Sequence, residues 1–541
     1  MRRWPVALFG AAVLWLAVVA SALLSRAPLP VDETRYLAAA WEMWSRGDFL
    51  VPHLNGVPYS HKPPLLFWLM HLGWTVFGVV EWWARVVAPL FSLGALILTA
   101  LLARRLWPDD APAAGLAPLV LVGFGLLGVL APMTMFDGMN MFFTALGLLG
   151  VLRAADGRRR SGWMLFGFAI GLGILSKGPV ILVGLLPAPL LAPIWAARGQ
   201  WGGPGRWYGG LGVAILGGAA VALAWAIPAA FSGGPEFRDM LLFGQTAGRV
   251  LDAFAHGRPW WWYLALLAPL LYPWAWWPGL WRAVSQAWPL RFDRGLRFCV
   301  CVVVPALLVF SLISAKQPHY LLPLFPVFAL AFARLLSWNP LNDRPLARLP
   351  VALPTIVLGI AVLLAPPVAG WIAESPPWLA DIPWLGGVLL AAAGGGLIMD
   401  GPRTVSVRIA SIAAVTTLTV CVVNVAGFAA AGPYYDLRGI ATVLADGERE
   451  GRPIAHVGDY EGQFHFLGRL RKPIEDVLAP DAQAWARAHP NGLIVAYFRG
   501  NPAGLPQRPL WLQPYRGRWA AVWSAGVVGE DGAKLLEDRF P

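Results

Sequence analysis

Apolar runs separated by short polar breaks dominate the chain up to about residue 431, and from about residue 432 charged positions become frequent. With roughly 15–25 apolar residues needed per membrane crossing, the pattern predicts about thirteen spans, at approximately 6–24, 83–105, 113–131, 136–154, 162–176, 179–197, 208–231, 260–281, 296–314, 319–338, 350–373, 383–400 and 405–430. The run 162–197 must divide, because one helix of that length would be roughly 54 Å long against a hydrocarbon core of about 30 Å. The sequence "SKGP" at 176–179 supplies the break.

Loop charge then orients the spans. With Arg2 and Arg3 cytoplasmic, alternate loops carry Arg104/Arg105, Arg158/Arg159/Arg160, Arg198/Arg206, Arg291/Arg294/Arg297, Arg344/Arg348 and Arg403/Arg408. These inner loops follow the positive-inside pattern and use arginine alone. Of the chain's five lysines, Lys62, Lys177 and Lys316 fall on the opposite, outer face, and Lys472 and Lys534 lie beyond the spans. The first run also reads as a signal peptide, with "ASA" at 20–22 as its cleavage site; either reading leaves the next loop extracytoplasmic.

That loop, 25–82, is too long for a connector. In "ETRYLAAAWEMWSRG" the residues Leu37, Trp41 and Trp44 share a helical face, which predicts an interfacial helix lying with its tryptophans toward the membrane. The stretch 63–78 is apolar but follows Lys-Pro-Pro and contains His71, and reads as re-entrant or interfacial, since a full span there breaks the arginine alternation. After 432, "PIAHVGDY" and "GLIVAYFRG" read as strands beside helices at 437–450 and 480–488, a small extracytoplasmic α/β domain over 432–541. The expected fold class is therefore an α-helical polytopic membrane protein with a small C-terminal α/β domain.

Composition agrees. The 541 residues are 57% hydrophobic and 13% charged, with 30 tryptophans and mean hydropathy +0.59, which excludes an ordinary soluble globular class. The formal charge of +12 is accounted for by inner-loop arginines rather than by a nucleic-acid surface. The cysteines Cys299, Cys301 and Cys421 all lie in apolar runs, as buried thiols rather than a metal or disulfide framework.

Candidate chemistry gathers on the outer side: Asp32, Glu33, Arg35, His61, Lys62, Asp137, Lys177, Arg238, Arg249, His256, Arg258, Lys316, His319 and Tyr320. Ionisable groups near membrane depth are costly, so a one-sided cationic cluster points to an anionic ligand, a phosphate at the membrane surface. The alternative for each lysine is snorkelling to lipid phosphates. For Asp137 and Asp32 the alternative to a general base or substrate-orienting carboxylate is a helix cap. Imidazoles at His61 and His256 suit zinc or a similar divalent cation, or ordinary hydrogen bonding; no cofactor is required by the sequence.

The stretch "VDETRYLAAAWEMWSRGDFLVPHLNGVPYSHKPPLLFWL", with its D-E-x-R-Y start, G-D-x-x-x-P-x-L-N-G middle and K-P-P end, resembles the first extracytoplasmic loop of bacterial membrane glycosyltransferases of the GT-C fold, the aminoarabinose transferases and protein mannosyltransferases. The later "LSKGP", "FGQTAGRVLDAFAHGRPWWWYL" and "SLISAKQPHYLLPLFP" are similar to the same family. The resemblance implies a polyprenyl-phosphate sugar donor used at the outer, periplasmic face of the bacterial inner membrane. It implies Asp32 and Asp137 as the acidic pair, with Arg35, Lys62 and Tyr320 at the donor phosphate. Aminoarabinose transferases commonly carry Glu before the K-P-P lysine, where this chain has His61. The acceptor is left open between a lipid A-like lipid, a glycan and a protein. Two other classes compete: a lipid-linked-sugar transporter or flippase, with polar residues along a path through the bilayer, and a non-catalytic scaffold of envelope assembly, indifferent to Asp137 and Lys62.

Overall fold

The computed structural model describes residues 4–197, 199, 201–242, 244, 257–338, 345–372, 376–399, 404–499 and 507–536. Among them, eight helices are long and apolar enough to cross a membrane: Trp4–Ser25 (α1), Glu81–Leu106, Phe136–Ala155, Pro204–Ser232, Arg294–Leu312, Pro318–Trp338, Pro345–Ala369 and Val405–Tyr434. The chain is a multi-pass, mainly helical membrane protein. Several expected spans are not single helices. The run 179–197 breaks into Ile181–Leu185, Pro187–Leu190 and Ala192–Trp195, and 260–281 into Trp262–Leu270, Trp274–Trp276 and Pro278–Ser285. Proline explains both, since it removes a backbone donor and clashes with the preceding turn. The run 113–131 breaks at Gly123, and the amide of Gly125 donates to the Tyr272 carbonyl at 3.0 Å instead of continuing the helix.

Between α1 and the next span, Asp32–Arg46 forms α2, closed by Gly47 in the left-handed conformation. A two-residue hairpin follows, His53–Leu54 (β1) with Val57–Pro58 (β2), turned by Asn55 and Gly56, both at positive φ. Leu65–Phe77 (α3) has 13 residues, about 20 Å of helix and too short to span. It is followed by Glu81–Leu106 (α4), Ala111–Val122 (α5), Gly125–Leu130 (α6), Phe136–Ala155 (α7) and Arg159–Lys177 (α8). The helix α8 stops at the expected break, with Gly178 at φ +84.

The pair α7–α8 sets the site. A Cβ on Gly150 of α7 would come within 2.8 Å of the Gly162 carbonyl on α8, and one on Gly162 within 2.5 Å of the Ala154 amide. Small residues on both helices therefore let the backbones approach closely, the usual way to pack helices where lipid supplies no hydrophobic drive. Joined by a short turn, the two helices run antiparallel, so the start of α7 lies beside the end of α8.

The described residues between Arg438 and Ser524 form helices on a five-stranded sheet of order β4-β3-β5-β7-β6. Ile454–Val457 (β3), Glu475–Val477 (β4) and Leu493–Phe498 (β5) are parallel; Trp511–Tyr515 (β6) and Arg518–Ser524 (β7) run antiparallel at one side. The expected strands are β3 and β5, with helices Arg438–Arg449 and Ala482–Ala488 where the pattern put them.

This sheet unit changes the reading of α2. Leu37 and Trp41 are almost fully buried, and Trp41 Nε1 donates to the Leu470 carbonyl at 2.7 Å. The face expected to lie on lipid is thus covered in part by the C-terminal unit, because the indole N–H finds a protein acceptor there. The Asn55–Gly56 turn docks on the same unit: Asn55 Nδ2 donates to Ile474 O and the Ile474 amide donates to Asn55 Oδ1, both at 2.8 Å.

Candidate functional site

Helix packing brings Asp137, in the first turn of α7, against Lys177, in the last turn of α8, as an ion pair with side chains 4% and 10% exposed. Each charge sits at the helix end whose dipole favours it. The N-cap of α7 is Met135, and the helix has no side-chain cap bond; Asp137 spends its carboxylate on Lys177 rather than on capping. The Lys177 ammonium also lies 4.9 Å from the centroid of the Tyr320 ring, a cation–π distance.

Lys62 approaches the same place from the loop after the hairpin, with Nζ 5.8 Å from the Tyr36 ring and 5.6 Å from the Phe136 ring. These two rings meet edge-on at 4.9 Å. His319 packs edge-on against Tyr320, also at 4.9 Å, within electrostatic reach of Asp137, Lys177, Lys62 and Asp32. At the start of α2, Asp32 keeps its side chain half exposed, 3.8 Å from Arg35. Tyr36 Oη lies 3.5 Å from Asp32 Oδ1, the outer limit of a hydrogen bond. Burial first, and then the Asp32 charge, push the Tyr36 phenol well above its ordinary value, so it stays a neutral donor. Asp32, Arg35, Lys62, Asp137, Lys177 and Tyr320 are thus brought together. Sequence reasoning passed over Tyr36 and Phe136 as site-forming groups, although Tyr36 belongs to the D-E-x-R-Y stretch.

Other expected residues lie elsewhere. Glu33 is fully buried; it pairs with Arg26 and accepts from the amides of Leu29 at 2.9 Å and Thr134 at 2.8 Å. Burial alone would raise its carboxyl, but Arg26, Arg85 and the hydrogen bonds hold it below the usual range. It is a clasp between α2 and the segment leading to Asp137, not a substrate contact. Lys316 is 2% exposed, and its ammonium donates to the carbonyls of Arg258 at 2.9 Å and Ile313 at 2.5 Å. Those bonds tie residue 258 to the 313–316 turn and direct the charge to backbone rather than to a phosphate. The Arg258 side chain is exposed. Arg249 and His256 lie outside the described residues. His61 is exposed against the Tyr59 ring, 5.2 Å away, and no group of three or more His, Cys, Asp or Glu occurs among the described residues. The zinc reading therefore has no described ligand set.

A separate cleft of about 890 Å³ opens among Arg26, Glu81, Trp82, Arg85, Asp436 and Arg438. Its arginines are matched by Glu33, Glu81 and Asp436, and it contains neither Asp32 nor Asp137.

With this geometry established, similarity to other proteins is informative. Over 95% of this chain and 97% of the other, the structure superimposes on ArnT from Cupriavidus metallidurans in the apo state, with TM-score 0.73 and 20% identity. The fold is that of aminoarabinose transferase. The same protein bound to undecaprenyl phosphate matches with TM-score 0.71 at 20% identity, over 96% of this chain and 98% of that one. In sequence, residues 61–225 match the dolichyl-phosphate-mannose-protein mannosyltransferase family. The undecaprenyl phosphate-alpha-4-amino-4-deoxy-L-arabinose arabinosyl transferase of Pseudomonas aeruginosa strain LESB58 is 33% identical over 54% of this chain and 52% of its own length. A Pseudomonas fluorescens Pf-5 counterpart is 32% identical over 63% of this chain and 60% of its own. The chain spans about half the length of the curated relatives it matches. Sequence and fold thus agree with the GT-C resemblance drawn from the first loop.

Proposed function

We propose that the protein is a membrane glycosyltransferase that moves one sugar from a polyprenyl-phosphate donor to an acceptor at the periplasmic face of the bacterial inner membrane. The acceptor is a lipid A-like lipid, a glycan or a protein. The observation that carries this reading is the buried Asp137–Lys177 pair, flanked by Lys62 and Tyr320 and faced by the half-exposed Asp32. The arabinosyl transferases of similar sequence, and the solved structure of this fold with undecaprenyl phosphate, support the donor class.

The chemistry follows from the charges. Transfer breaks the bond between the sugar's anomeric carbon and the phosphate oxygen, and the acceptor oxygen takes its place. The leaving group is a polyprenyl phosphate whose growing negative charge needs fixed cations rather than a proton. Lys62, Lys177 and Arg35 supply them. Asp137 holds Lys177 in place, because a buried ammonium without a counter-charge is costly. Asp32, the more exposed carboxylate, takes the proton of a hydroxyl acceptor, or orients the sugar where the acceptor is itself a phosphate. Mass spectrometry of lipid A and envelope glycans from a deletion strain tests the reading. A glycosyl mass should vanish on deletion, return with the wild-type gene and fail to return with Asp137→Asn. Identical spectra with and without the gene would overturn it.

A further inference from the structure

In the C-terminal sheet, β3 lies between β4 and β5, all three parallel. The chain leaves β3 toward β4 on one side and leaves β5 toward β6 and β7 on the other. The carboxyl ends of β3 and β5 therefore flank a topological switch point, the place where open α/β sheets commonly receive ligands. Here that place is filled by protein and turned toward α2. Gln463 Nε2 lies 3.3 Å from both His456 Nε2, at the end of β3, and Tyr497 Oη, at the end of β5. Gln463 Oε1 in turn accepts the Glu461 amide at 2.9 Å. Beside it, Gly462 is seated so closely that a Cβ would come within 2.5 Å of Leu54 Cδ1 and 3.0 Å of Ala38 Cβ. The loop is fixed from behind by the sheet and from the front by the first extracytoplasmic segment. From it, the Glu461 carboxylate forms an ion pair with Arg35, which also stands 3.8 Å from Asp32.

We infer that Glu461 is a positioning residue of the transfer site, supplied by the C-terminal unit: by holding one edge of the Arg35 guanidinium, it aims the remaining donors at the donor phosphate. This rests on the proposed polyprenyl-phosphate donor. The guanidinium is a rigid plane of five donors, so a carboxylate on one edge fixes where the others point. Freezing a long side chain on folding spares that loss on binding. The arrangement also gives the C-terminal unit a part in donor recognition, although it lies far from Arg35 in sequence.

Full-length protein in nanodiscs, with a short-chain polyprenyl phosphate as binding probe and the corresponding phosphosugar for kinetics, tests this. Glu461→Gln should weaken probe binding about 2- to 10-fold, the effect of unfreezing one long side chain, and raise donor KM to match while kcat changes little. Glu461→Asp should restore part of the loss, and Glu461→Gln should add nothing in an Arg35→Ala background. Wild-type affinity and KM in Glu461→Gln, even with a lowered Tm, would show a purely structural contact and overturn the inference while leaving the donor reading intact. Tighter binding in Glu461→Gln would overturn it too, by showing that Glu461 competes with the phosphate. If the wild-type protein binds no polyprenyl phosphate, the donor reading itself falls and the inference with it.

Discussion

Replacing Asp137 by Asn removes one charge from a pair whose side chains are 4% and 10% exposed. The partner ammonium then stays in a site closed to water. Breaking a buried pair from one side costs about 3–5 kcal/mol, because the remaining charge is uncompensated. The Asn amide can still accept a hydrogen bond from Lys177, which places the expected loss toward the lower end, about 3 kcal/mol. A capping carboxylate would behave differently: Asn caps as well as Asp, so stability would hardly change. Lys177→Met should cost a similar amount by stranding Asp137. The double variant Asp137→Asn/Lys177→Met removes both charges and should recover much of the stability, since paired buried charges are often replaceable by neutral groups. Transfer activity should remain lost in all three, because the cation facing the donor is absent or no longer held. The assay is a thermal-unfolding double-mutant cycle in detergent, run beside single-turnover transfer from a polyprenyl-phosphate sugar. A fully active double variant, or an Asp137→Asn protein of wild-type stability, would refute the reasoning.

Lys316→Met should leave donor KM unchanged and lower stability by about 1–3 kcal/mol, the worth of stranding buried carbonyls, read by thermal unfolding against donor kinetics; a large rise in KM would return Lys316 to the phosphate site. Asn55→Ala removes both bonds to Ile474 and should loosen the C-terminal unit by about 1–3 kcal/mol, seen as faster proteolysis near residue 435. Burial holds the imidazoles of His456 and His465 down to about 4 from an ordinary 6.5. The unfolded chain therefore binds protons first, and each histidine's contribution, about 3 kcal/mol, is complete above pH 6.5 and lost as pH falls toward 4. Tryptophan-monitored unfolding should show that slope, and His456→Gln should reduce it by about half, leaving the His465 share. Reporters fused after residues 160 and 440 should read cytoplasm and periplasm respectively; the reverse at either site would undo the outer-face assignment.

Much of this protein was legible before any coordinates. Apolar runs identify a membrane protein because bilayer thickness imposes a length that few other structures need. The arginine loops give the expected orientation, and the D-E-x-R-Y, L-N-G and K-P-P pieces carry the first loop's resemblance to GT-C glycosyltransferases. Asp32, Arg35 and Lys62 were nominated from those pieces, Asp137 and Tyr320 from later outer-face breaks, and the folded chain brings them together. Proline-broken spans such as 179–197 were less legible, because hydropathy counts apolar residues without counting missing backbone donors.

What the sequence determined by itself is local: which segments are apolar, and where α8 must stop at Gly178. Only the tertiary structure decided how those charges pair. Nothing near Lys177 in the chain announces Asp137; the antiparallel packing of α7 on α8, made close by Gly150 and Gly162, puts them together. Glu33 and Lys316 looked like ligands because their types suit phosphate and sugar sites, yet Arg26 and two backbone carbonyls had claimed them. Glu461 gave no sequence signal at all, since its meaning depends on a sheet loop reaching Arg35 across the fold. Charge is read one residue at a time, whereas its partner is set by three-dimensional proximity, and in a low-dielectric interior the partner decides what the charge can do.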